Sequence, residues 1–139
     1  ITAVHPAETA LIEALAAQMA ALPTADRVVA PLGVGRHADH LITRRAAELC
    51  FGAALWYYED FPYVREAGAL TAVIPLHTNQ WQAQVIPLSA AALSAKANAI
   101  AAYVSQVSTF FKDRQDLADQ LQTYARTVGG ERLWRQTHP

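Results

Sequence analysis

Between residues 7 and 59 the chain alternates between helical patterns and short apolar runs, and this order limits the fold more than anything else in the sequence. In residues 7–22, Leu11, Leu15, Met19 and Leu22 recur at helical spacing. Pro6 suits the start of that helix, because the first turn has no use for its missing N–H. Pro23 and Thr24 end the pattern. Arg27-Val28-Val29-Ala30-Pro31-Leu32 then reads as a short buried strand of the kind found in parallel sheets. A glycine loop over 33–37 leads into a second helix over about 39–53, and a second strand over 54–59 follows. Helix, strand, loop, helix, strand predicts an α/β fold on a mostly parallel sheet, with functional loops at the carboxyl ends of the strands.

Downstream, residues 70–76 and 81–88 alternate well enough for two more strands, and a proline in each marks them as edge strands. Ser89 or Ser94 opens a long helix to about Phe111, with Ile100, Tyr103, Val104 and Val107 on its apolar side. A last helix over 113–128 stops at Gly129-Gly130. Nothing in the chain resembles a repeat or a linker, so the 139 residues read as one domain. Eleven Lys and Arg against twelve Asp and Glu leave the chain nearly neutral, which argues against a nucleic-acid partner. No apolar stretch reaches the roughly 20 residues of a membrane span. A lone cysteine, Cys50, in a buried-type helical run points to a reducing, cytoplasmic setting.

Two overlapping motifs carry chemistry. Gly33-Val34-Gly35-Arg36-His37-Ala38 has the G-x-G-x-x-A spacing of a dinucleotide loop, after a strand and before a helix, with Glu59 and Asp60 about 20 residues on. In that reading the glycines admit a pyrophosphate and a carboxylate takes the ribose hydroxyls. The second motif, His37-Ala38-Asp39-His40, gathers two imidazoles and a carboxylate at a loop-to-helix junction. Imidazole binds Zn²⁺, and a carboxylate accepting the second ring N–H sets its tautomer. The plainer alternative makes Asp39 the helix N-cap and leaves both histidines in solvent.

Four segments in order resemble the PIG-L/LmbE-like deacetylases. The stretch from Pro31 to His40, continuing into Arg44-Arg45-Ala46-Ala47, is similar to that family's G-x-x-H-P-D-H signature. Tyr57-Tyr58-Glu59-Asp60-Phe61-Pro62-Tyr63 resembles its Y-E-D-x-P-Y segment. Lys96, Ala99, Tyr103, Ser105 and Gln106 resemble its K-x-x-A-x-x-x-Y-x-S-Q helix, and Glu131-Arg132-Leu133-Trp134 its closing E-R-x-W. The resemblance implies a Rossmann-like three-layer fold followed by a C-terminal helical segment. It also implies a Zn²⁺-dependent hydrolase that removes acetyl groups from N-acetylglucosamine-type substrates. By motif, His40 corresponds to the zinc-ligand histidine. His37 corresponds to the histidine that stabilises the tetrahedral transition state or protonates the leaving amine, and Asp39 to the residue that tunes it.

One departure is larger than the Ala38 that replaces the commoner proline. The family's first signature, A-H-P-D-D-E, supplies the other metal ligands and the general base, and it has no recognisable counterpart here. His5-Pro6-Ala7-Glu8 imitates it, but Ala7 stands where the base belongs, and these residues read better as a helix start. Together with Ile1 as first residue, this suggests the C-terminal part of a deacetylase whose N-terminal part is missing or lies on a second chain. An uncovered sheet edge would then favour association, including with another copy. Glu59 and Asp60 are expected to line the substrate pocket, or else to cap the turn that follows. His77 and His138 read as surface residues, the Lys96 helix as a packing element, and Trp56, Trp81 and Trp134 as core rather than sugar-stacking side chains.

Overall fold

The structure is a computed structural model that describes residues 4–75 and 80–137. His77, His138 and the last residue of the expected strand at 70–76 lie outside the described residues. The chain forms two compact units, one comprising residues up to Gln84 together with those from Leu133 onward, the other Val85–Arg132.

The first unit begins with a 3-10 turn, Pro6–Glu8, and helix α1, Thr9–Ala20. Strand β1, Val28–Pro31, helix α2, Ala38–Phe51, and strand β2, Leu55–Tyr58, follow in the expected order. The face that α1 buries differs from the expected stripe. Ile12 is buried and packs with Ile42 and Ala46 of α2, supported by Leu15, Ala16 and Met19. Leu11 and Leu22 are exposed. An alanine-rich helix leaves the stripe ambiguous by one residue, and contact with α2 decides it. A second cluster joins Ala30 and Leu32 at the β1 end, Ala47, Leu55, Tyr57, Ile74 and Trp134. Leu32, Leu55 and Ile74 are fully buried, each contributing roughly 1.5–3 kcal/mol.

Residues 70–75 are not a strand. Val73 N and Ile74 N both donate to Leu70 O, and Thr71 Oγ1 donates to Gly68 O, so the segment winds into tight turns that drop Ile74 into the core. A short apolar run carries too few residues to separate strand from helical periodicity. The sheet order is β1-β2-β4-β3, where β3 is Trp81–Ile86 and β4 is Glu131–Gln136. β3 lies at an edge, as its proline-bearing sequence suggests.

The mostly parallel sheet is corrected by β4, a strand the pattern does not reveal. β1 pairs with β2 in parallel, but β2 pairs with β4 antiparallel, Tyr57 opposite Trp134. Thr137 N donates to Gln80 O and Arg135 to Gln82 Oε1, so β4 also runs against β3. Leu133 and Trp134 are adjacent, point to opposite faces, and are both buried. A strand covered on both faces shows no alternation, which is why β4 escapes a period-2 reading.

In the second unit, helix α3, Ala90–Ala101, is capped by the Ser89 hydroxyl, which accepts from Ala92 N. It ends before Tyr103, whose backbone is non-helical, and α4, Val104–Phe110, is a separate short helix. The expected single helix to Phe111 is therefore broken. Tyr103 and Val104, assigned to its apolar side, are 71% and 79% exposed, so no burial holds a helix through them. Helix α5, Arg114–Val128, is capped by Asp113 and stopped by Gly129 at φ 86°. Leu117, Leu121, Tyr124 and Ala125 form its buried stripe.

Candidate active site

Because β1 and β2 are parallel and in register, the segments that follow them leave the sheet side by side. Leu32 N donates to Tyr58 O at 3.0 Å, and Gly33, at φ 75°, then turns the chain into the loop. Arg44 of α2 fixes this turn from below. It is buried, its Nη1 donates to Leu32 O at 2.7 Å and its Nε to Glu48 Oε1 at 2.8 Å, and its guanidinium lies 4.8 Å from the centre of the Tyr57 ring. Burial and the Glu48 carboxylate push the Tyr57 phenol up to about 12, so it stays neutral.

His37, and not Asp39, is the N-cap of α2: its Nδ1 accepts from Asp39 N at 3.3 Å. That bond places the proton of the neutral ring on Nε2. The Asp39 carboxylate is 82% exposed and stands 3.8 Å from His37 Nδ1, beyond hydrogen-bond reach. It sits in the first turn, where the helix dipole favours an anion. His40 lies one turn along α2, its ring centre 5.5 Å from that of His37. Its Nδ1 is 2.7 Å from Oδ1 of Asp60, whose side chain is wholly buried. Asp60 Oδ2 accepts from Val34 N at 2.8 Å, so this one carboxylate ties His40 to the glycine loop. Its hydrogen-bonding contact, more than any other influence, raises the His40 imidazole above its ordinary 6.5, against the opposing effect of burial.

Glu59 is buried too, and its Oε1 accepts from Trp134 Nε1 at 2.6 Å. Both carboxylates expected to face substrate are thus engaged inward, on Trp134 and on His40. Trp134 is core; Trp81 is half-buried and stacks edge-on against Tyr57. Trp56 has the guanidinium groups of Arg27 and Arg135 within 4.7 and 5.1 Å of its ring centre. Lys96 pairs with Glu131 at 2.7 Å, joining two of the motif segments within the second unit.

Sequence reasoning missed Tyr63 and Arg44 as builders of the site, although both lie in the quoted motif segments. Tyr63 sits edge-on to His40 at 6.3 Å and packs so closely on Gly35 that any Cβ there would overlap its ring. Gly35 therefore makes room for an aromatic ring. In a dinucleotide loop the same glycine would leave that space to a pyrophosphate.

His5 and Glu8 form a capping box. His5 Nδ1 accepts from Ala7 N and Glu8 Oε2 accepts from His5 N. Among the described residues no group of three or more His, Cys, Asp or Glu side chains could hold a metal ion. His40 and Asp60 face each other, and His37 Nδ1 is used by the helix cap. Among the described residues, therefore, no complete zinc site is assembled. No helix among the described residues is long and apolar enough to cross a membrane.

No protein-family model matches the chain, and no curated protein does. Among solved structures, the fold is similar to the crystal structure of the zinc-inhibited form of teicoplanin deacetylase Orf2, with a TM-score of 0.69 and 21% identity. The match covers 98% of this chain and 55% of that one, so the chain spans about half the length of the deacetylase whose α/β fold it shares.

Proposed function

We propose that this chain carries one part of the active site of a deacetylase-type hydrolase, acting on the amide of an N-acetylated amino sugar. The observation that carries the reading is the pair of imidazoles, 5.5 Å apart, at the carboxyl end of β1 in a fold shared with a deacetylase. His37, its Nδ1 occupied by a backbone N–H, turns Nε2–H outward. Such a donor stabilises the oxyanion of an amide under attack, or gives its proton to the departing amine. Asp39 adds negative charge beside that ring. Glu59 and Asp60 act from beneath, by holding Trp134 and His40, and do not touch substrate.

Zn²⁺ enters this reading only with donors from polypeptide beyond the described residues, on a longer form of the chain or on a partner. Among the described residues β1 is the last strand on its side of the sheet, and a further strand paired there would be a natural seat for such a segment. The test is acetate release from N-acetylglucosamine-type substrates by the pure chain of verified mass, with and without the completing polypeptide. Negligible turnover alone and clear turnover when completed is expected. Brisk turnover by the chain alone would overturn the shared site, and none in any form would overturn the hydrolase. In the active form, His37→Ala should lower kcat by roughly 10²–10⁴-fold with little change in KM.

A further inference from the structure

We infer that Asp60 is a positioning residue that holds His40 as its Nδ1–H tautomer and so turns the Nε2 lone pair outward. His40 Nδ1 and Asp60 Oδ1 are both buried, lie 2.7 Å apart, and are hydrogen-bonded to nothing else. An ionised carboxylate only accepts, and two lone pairs at that distance would repel, so the ring proton belongs on Nδ1. The other oxygen, Oδ2, is committed to Val34 N–H, a group that only donates, so the carboxylate is held from both sides. His40 is 32% exposed although Nδ1 is buried, so its open edge is away from Asp60.

His37 is fixed the opposite way, since its Nδ1 accepts from Asp39 N and its proton must lie on Nε2. Two histidines one helical turn apart therefore present different groups to the same space, an N–H from His37 and a lone pair from His40. One backbone amide and one buried carboxylate set this division before any ligand arrives. The inference deepens the proposed function, because it says which ring atom of His40 is the working one.

The test uses the full chain, ¹⁵N-labelled, at alkaline pH. Two-bond ¹H–¹⁵N correlations distinguish protonated from bare ring nitrogens, and His40→Gln identifies the His40 signals by their loss. Wild type should show His40 bare at Nε2 and His37 bare at Nδ1. In Asp60→Asn the carboxamide oxygen keeps the Val34 N–H, which turns the NH₂ group toward His40 Nδ1. That variant should switch His40 to the Nε2–H tautomer and leave His37 unchanged. A wild-type His40 protonated at Nε2, or an unchanged tautomer in Asp60→Asn, would overturn the inference. If the variant does not fold, the wild-type spectrum decides alone. The readout involves no turnover, so failure of the hydrolase reading and failure of this one are seen separately.

Discussion

Glu59 and Asp60 are adjacent carboxylates, both buried, that do different work: one anchors β4 through the Trp134 indole, the other holds a histidine. Trp134→Phe keeps an aromatic ring, though a smaller one, and removes the donor to Glu59 Oε1, taking one partner from a buried carboxylate. It should cost about 1–3 kcal/mol in chemical denaturation. A loss under about 0.5 kcal/mol would mean that the indole bond is dispensable. His40 gives a pH dependence of known sign. Its folded-state pKa is raised above 6.5, chiefly by the hydrogen-bonding Asp60 carboxylate, so folding favours the imidazolium. The contribution is complete below the unfolded value and is lost as pH rises through the higher folded value. Urea unfolding of wild type and His40→Gln should show a stability gap that narrows with rising pH across this window. A gap that widened would contradict the pairing. The crowding of His37, Asp39 and His40 was plain in the sequence, but the partner of His40 was not. Asp60 lies 20 residues away on another strand end, and only the parallel pairing of β1 with β2 brings the two together.

At the level of the element, the loop from Gly33 to His37 is set by what presses on it from three sides. Arg44 pulls on the Leu32 carbonyl, Asp60 on the Val34 amide, and the Tyr63 ring lies on Gly35. Gly35→Ala should therefore destabilise by roughly 1–3 kcal/mol, the usual cost of overpacking, and displace Tyr63 from His40. If the ring is the obstacle, Tyr63→Ala should relieve part of that penalty, so the double variant loses less than the sum of the singles. Strict additivity would place the strain elsewhere. The helix starts and stops near Pro6, Asp113 and Gly129 could be read directly, and Ser89 as one of two candidates with Ser94, because capping uses neighbours in sequence. The break at Tyr103 and the turns over 70–75 could not. Local pattern supplies apolar residues, but only burial decides whether they extend an element or end it.

At the scale of the whole molecule, the incomplete donor set among the described residues has a direct consequence. Elemental analysis of the pure chain, with its intact mass checked, should find no stoichiometric zinc; one zinc per 15.1 kDa would show that the chain assembles its own site. Dinucleotide should likewise give no thermal protection, since Tyr63 occupies the space over Gly35. Residues 7–59 alone were enough to specify an α/β unit with a glycine loop after β1, because helix and strand periods and the glycine turn act over a few neighbouring positions. They also showed His37, Asp39 and His40 crowded at one loop-to-helix junction, because that grouping rests on residue types at fixed spacing. The insertion of β4 between β2 and β3, the choice of Ile12 over Leu11 for burial, and the inward turn of Glu59 and Asp60 depended on the tertiary structure. Each is a competition for the same buried space between residues far apart in the chain, and packing and paired charge settle it.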